Sequence, residues 1–162
     1  VNDEEAADEI NWLIDLVTQI RSLRAEMNIK PSLQLPLVVV AADAGARART
    51  GRHEGAIERL ARVEAISYAD AAPQGAAQLI AGSATVAVPL QGLVDVAAET
   101  ARLNKEIAGL DKDIKQIGGK LKNEKFVANA PEAVVEENRQ RLADAGARKE
   151  KLAAALQRLS GL

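Results

Sequence analysis

The chain has 162 residues, no cysteine and a formal net charge of −2, a size that suits one compact domain or a small domain carrying an appendage. The missing cysteines exclude disulfides and thiolate chemistry and fit a reducing cytoplasm. No apolar run is long enough to span a bilayer and no cleavable signal pattern opens the chain, so a soluble protein is expected.

Hydrophobic residues make up 48% of the sequence and aromatic ones only 2% (Trp12, Tyr68 and Phe126), so any core is built mainly from Ala, Leu and Val. Such a core is small and helix-rich. The first residue is Val1 rather than methionine, and the opening already has a helical pattern, which suggests a fragment of a larger protein.

Asp3 to Glu9 form an acidic helix start. Ile10, Leu13, Ile14, Val17, Ile20, Leu23 and Met27 then recur at helical spacing, predicting an amphipathic helix that ends by Lys30 and Pro31. Arg21 and Arg24 share one flank of it, placed either to form ion pairs within a bundle or to meet a nucleic-acid backbone. From Leu33 to Val40 the pattern becomes a β-branched apolar run whose Pro36 fits an edge strand or a bulge. A helix over Ala46 to Arg62 follows. Glu64 to Ala69, Ala76 to Ala81 and Ala84 to Pro89 read as strands, with Gly82 and Ser83 able to turn the second back into the third. The result is a small α/β layer.

The last third has a different rhythm. Leu103, Ile107, Leu110, Ile114, Ile117 and Leu121 keep a four-then-three spacing, and Leu142, Ala145, Leu152, Leu156 and Leu159 return along a second run. A narrow seam with a mean period near 3.5 is what two supercoiled helices need. The turn between them, Lys122 to Ala130, precedes Pro131, which suits a first helical position, and Glu132, Glu136 and Glu137 favour a helix start there. Two helices of ~28 residues at about 1.5 Å per residue make an arm roughly 40 Å long. The fold class expected is therefore α+β: an N-terminal helix and a small α/β layer with about four strands, followed by a long antiparallel two-helix coiled coil. In domain terms these are residues 1–30, 31–94 and 95–162, with the tip of the arm near 122–131.

Charge is unevenly shared. From Ala98 onward 13 Lys and Arg face 10 Asp and Glu, whereas the part before it has 8 against 13. Heptad assignment puts Arg102, Lys105, Lys112, Lys115 and Lys122 on the side of the first arm helix that faces away from its partner, with no carboxylate between them. Glu106 and Asp113 lie beside the seam, where Arg148 and Arg141 are their expected partners across a hairpin centred near Phe126 and Val127. Five aligned cations without an acid favour phosphate binding over a merely solvated surface.

Catalytic constellations are missing. His53 is the only histidine and reads as an exposed helix residue; a lone histidine makes a poor metal site. There is no Ser with a nearby His and Asp, no phosphate-cradling Gly-rich loop and no metal-spaced set. No enzyme activity, metal or cofactor is expected of this chain by itself.

Two segments carry a family resemblance. Ile20-Arg-Ser-Leu-Arg-Ala-Glu-Met-Asn-Ile-Lys-Pro31 resembles the end of the anticodon-binding helical domain of the class I synthetases for valine, isoleucine and leucine. Glu99-Thr-Ala-Arg-Leu-Asn-Lys-Glu-Ile107, with Lys120-Leu-Lys-Asn-Glu-Lys-Phe-Val-Ala-Asn-Ala-Pro-Glu-Ala-Val-Val135, resembles the C-terminal coiled coil of bacterial valyl-tRNA synthetase. The tip pattern Asn123, Phe126, Val127, Ala130, Pro131, Val134 and Val135 is the most specific part. The resemblance implies a parent ligase that joins valine to tRNA with ATP and magnesium and edits mischarged threonine, none of whose nucleotide-binding signatures lie in this chain. It also implies a monomer that holds tRNA, its arm reaching the corner where the D and T loops meet. Carried over by position, Lys105, Lys112, Lys115 and Lys122 are phosphate candidates, with Lys120 and Lys125 near the tip and Arg102 near the base. Phe126 either closes the hairpin core or stacks on the RNA, and Arg21 and Arg24 either touch tRNA or brace the helices. Gly118 and Gly119 weaken the first arm helix, allowing either a bend or local fraying, while Asn138 and Lys149 interrupt the second seam. The competing class is a protein-interaction or dimerisation coiled coil without RNA.

Overall fold

The computed structural model describes residues 3–162, which divide into two compact units, residues 3–95 with 161–162 and residues 96–160. The first unit runs α1 (Asp3–Glu26), β1 (Leu35–Val40), α2 (Ala44–Ala61), β2 (Val63–Ala69), β3 (Ala76–Ala81) and β4 (Ala84–Pro89). Its sheet is mixed, in the order β2-β1-β4-β3. β1 and β2 are parallel and joined through α2, as parallel neighbours must be by a crossover. β4 runs antiparallel to both β1 and β3.

β1 is a central strand, which corrects the edge placement allowed by Pro36. Proline is tolerated there because the β1–β2 register shifts between Leu35 and Pro36, while pairing with β4 begins only at Val38. The bulge, the other reading of Pro36, is the one found. Register then puts Val39, Val86 and Leu79 side by side on one face, all buried. Ile80, next along β3, turns to the opposite face and is 69% exposed.

α1 packs on α2 and β3. Its buried arc is Trp12, Leu13, Leu16, Val17, Ile20 and Leu23, whereas Ile10 and Ile14 are exposed. The apolar stripe is therefore rotated from the expected one, because α1 meets both the sheet and α2 and so buries a broader arc. The Trp12 indole N–H donates to the Ala81 carbonyl at 3.1 Å and the Gln19 amide to the Ile80 carbonyl at 2.7 Å. Edge strand β3 thereby has partners for two of its carbonyls. α1 ends with Asn28 in the left-handed region (φ 52°) and the Ile29 N–H bonded to the Arg24 carbonyl, the geometry of a Schellman stop between buried Met27 and Ile29.

The second unit comprises α3 (Val96–Lys122), α4 (Glu124–Asn129) and α5 (Glu132–Ser160). α3 and α5 lie against each other, with Leu103 and Ile117 buried on α3 and Val135, Asn138, Leu152, Ala155 and Leu159 buried on α5. The segment expected as a turn contains α4, a helix of 6 residues. Asn123 caps it, its side-chain oxygen accepting from the N–H groups of Lys125 at 3.0 Å and Phe126 at 3.3 Å. Pro131 stands one position earlier than expected, immediately before α5, where its carbonyl accepts from the N–H groups of Val134 and Val135. No helix among the described residues is long and apolar enough to cross a membrane.

Candidate nucleic-acid interface

α3 presents its cations because its apolar residues are claimed by the face toward α5. Lys105, Lys112, Lys115, Lys120 and Lys122 are all exposed on it, and Lys125 is exposed on α4. None of the six has an ion-pair partner among the described residues. Arg102 behaves differently. Its guanidinium donates to Glu99 at 2.8 Å and lies 3.4 Å from Glu106, and the hydrogen bond it gives to Glu99 holds it above the ordinary arginine range. Arg102 is tied down by its own helix.

Glu106 also accepts from Arg148 of α5 at 3.0 Å, the partner expected for it. Asp113 and Arg141 form no such pair among the described residues; instead Lys149 reaches Asp111 at 2.5 Å. Lys149, which departs from the apolar seam, thus takes part in an ion pair between the helices. Arg102, Lys105, Glu106, Gly109, Leu110 and Asp113 line a shallow groove on α3, so the basal end of the lysine array is flanked by acids. Toward the tip, Phe126 is half-buried.

Arg21 and Arg24 are directed elsewhere. The Arg21 Nε donates to the Leu60 carbonyl at 3.1 Å. Arg24 donates to Lys30 and Leu33 from one nitrogen and to Ala61 and Arg62 from the other, at 2.6 to 3.2 Å. Leu60, Ala61 and Arg62 are the last carbonyls of α2, the end of a helix that attracts cations. Both arginines brace α2, which is one of the two roles the sequence left open for them. Burial, and then the nearby Arg62, push the Arg24 guanidinium below the usual arginine range.

His53 is a correction. Rather than standing exposed, its side chain is 19% exposed and its Nε2 lies 2.8 Å from Glu9, with Trp12 beside the ring. Arg52 donates to the same carboxylate at 2.8 Å and, as the largest cause, holds Glu9 below the usual carboxylate range. Arg49 stacks over Trp12 at 4.6 Å and Arg47 over Tyr68 at 4.5 Å. No local sequence signal announces this cluster, in which Glu9 lies 43 and 44 positions from Arg52 and His53. Among the described residues no group of three or more His, Cys, Asp or Glu could hold a metal ion.

The helical unit carries one basic flank, and residues 95–160 match the family described as the valyl tRNA synthetase tRNA binding arm. The likeness extends beyond that segment. The chain is 52% identical over 158 residues, 98% of its length, to a valine–tRNA ligase of Rhizobium meliloti (strain 1021). It is 56% identical over 157 residues to that of Rhodopseudomonas palustris (strain ATCC BAA-98 / CGA009). These alignments cover 17% and 16% of the two relatives, so the chain spans about one-sixth of their length.

Proposed function

We propose that α3 and α5 form an antiparallel coiled-coil arm that binds the backbone of tRNA at its elbow, supporting the joining of valine to tRNA by a cytoplasmic parent ligase that uses ATP and magnesium. The observation that carries this reading is a contrast on α3. Arg102 and Glu106 are engaged in ion pairs, whereas its five exposed lysines Lys105, Lys112, Lys115, Lys120 and Lys122, like Lys125 on α4, have none among the described residues. Exposed cations that no carboxylate pairs are available to phosphates, and their binding releases counterions. The ion pair between Glu106 and Arg148 supports the antiparallel pairing, and the buried seam residues give the rigidity a projecting arm needs.

The tRNA elbow is largely backbone with an exposed tertiary base pair, a target suited to point charges and a half-buried aromatic tip. Such contacts confer affinity more than discrimination among tRNAs. Titration of the chain with tRNA at several salt concentrations tests the proposal. Binding that weakens steeply with salt, and at least tenfold further in the triple variant Lys112→Glu, Lys115→Glu, Lys122→Glu, supports it. Salt-independent self-association without tRNA binding would replace it with a dimerisation coiled coil.

A further inference from the structure

Gly118 and Gly119 sit within α3, four and three residues before its end at Lys122. Neither has a positive φ, and a Cβ added at either would meet nothing within 4 Å. No turn, close approach or strained backbone therefore calls for glycine at either position. What the pair does is loosen the helix, since glycine is disfavoured in a helix interior by about fivefold relative to alanine.

α5 carries a second weak point. Asn138 is 7% exposed; its amide nitrogen donates to the Val134 carbonyl at 2.8 Å, one turn back on its own helix. Its side-chain oxygen is buried without a hydrogen-bond partner. A buried acceptor left without a donor favours states in which it meets water.

The two points lie at one level if the helices pair as proposed above. Twelve residues beyond Glu106 is Gly118, and twelve before its partner Arg148 is Glu136, between buried Val135 and Asn138. We infer that this level is a hinge, about which the tip carrying Lys120, Lys122 and Lys125 turns relative to the shaft carrying Lys105, Lys112 and Lys115. The division gives two groups of three cations, able to meet backbone segments of a nucleic acid that are not collinear. The inference rests on the tRNA-binding reading only for what the bend serves; the bend itself is a property of the free chain.

Hydrogen exchange of the full chain without RNA tests the bend. Protection factors, corrected for intrinsic rates, are expected to be at least tenfold lower at 115–120 and 136–140 than at 103–112 and 148–157, and to rise again in α4. Gly118→Ala with Gly119→Ala is expected to bring the first stretch up to the level of its neighbours, and Asn138→Leu the second. A steady decline in protection toward Asn129 is simple end fraying and overturns the hinge, as does unchanged protection in the alanine variant. For the role in docking, the alanine variant is expected to bind tRNA at least threefold more weakly, with a shallower salt slope. A variant stiffened by exchange that binds as well as the wild type overturns that role. Absence of tRNA binding by the wild type would instead sink the function proposed above, with the exchange pattern still deciding the hinge.

Discussion

Glu9 shows how a single carboxylate joins two helices. It accepts from Arg52 and lies beside His53, 43 and 44 positions along the chain. The Arg52 hydrogen bond is the largest influence on its pKa, and with His53 it outweighs the opposing effect of burial, so the folded value lies below the usual carboxylate range. A carboxylate with a depressed folded pKa contributes stability that is fully present above its unfolded value and is lost as pH falls through the folded one. Glu9→Gln is therefore expected to lower the melting temperature at pH 7 and to narrow the gap to wild type below about pH 4. Melting curves followed at several pH values check this, and parallel curves across the range would contradict it. The same geometry explains why His53 was misplaced from sequence. Its neighbours along the chain are Arg52 and Glu54, and nothing local reveals that α1 brings Glu9 and Trp12 to it.

At the level of elements, α1 stabilises α2 by placing charge at its C-terminus. Arg24 makes four hydrogen bonds to carbonyls, two of them at the end of α2. Arg24→Met is expected to destabilise the first unit by about 2 kcal/mol, with a melting temperature lower by roughly 10 °C. Arg24→Lys is expected to recover little of it, because an ammonium cannot serve carbonyls on two sides as a planar guanidinium does. Full recovery with lysine would show that charge alone matters. Element boundaries were largely legible in the sequence. β3 and β4 occupy the expected residues, because alternating apolar positions and the Gly82 turn, at φ 61°, are local signals. The buried arc of α1, the central place of β1 and the arginine contacts depend on which elements meet in space. On the second unit Lys105, Lys112, Lys115 and Lys122 could be assigned to an exposed face from spacing alone, whereas α4 could not. Its six residues are held by Asn123, a residue that suits a turn equally well.

At the level of the whole molecule, the two units can be followed by different probes. Trp12, the only tryptophan, is buried in the first unit, while α3 and α5 contribute 27 and 29 helical residues to the second. Ile117 is buried on α3, and Ile117→Ala is expected to cost about 3 kcal/mol in the second unit. Loss of helical circular dichroism should then begin at lower temperature, with the midpoint of Trp12 fluorescence unchanged. A common shift in both signals would mean that the units unfold as one cooperative body.

The place of β1 has a consequence for synthesis on the ribosome. Leu35-Pro-Leu-Val-Val-Val40 is almost wholly apolar and needs a strand on each side. One neighbour, β2, arrives with the crossover through α2, but β4 is complete only at Pro89. Until then the growing chain exposes an open strand edge of the kind that recruits other chains. Chains released before Pro89 are therefore candidates for aggregation, whereas those released later, within the second unit, already hold both partners of β1.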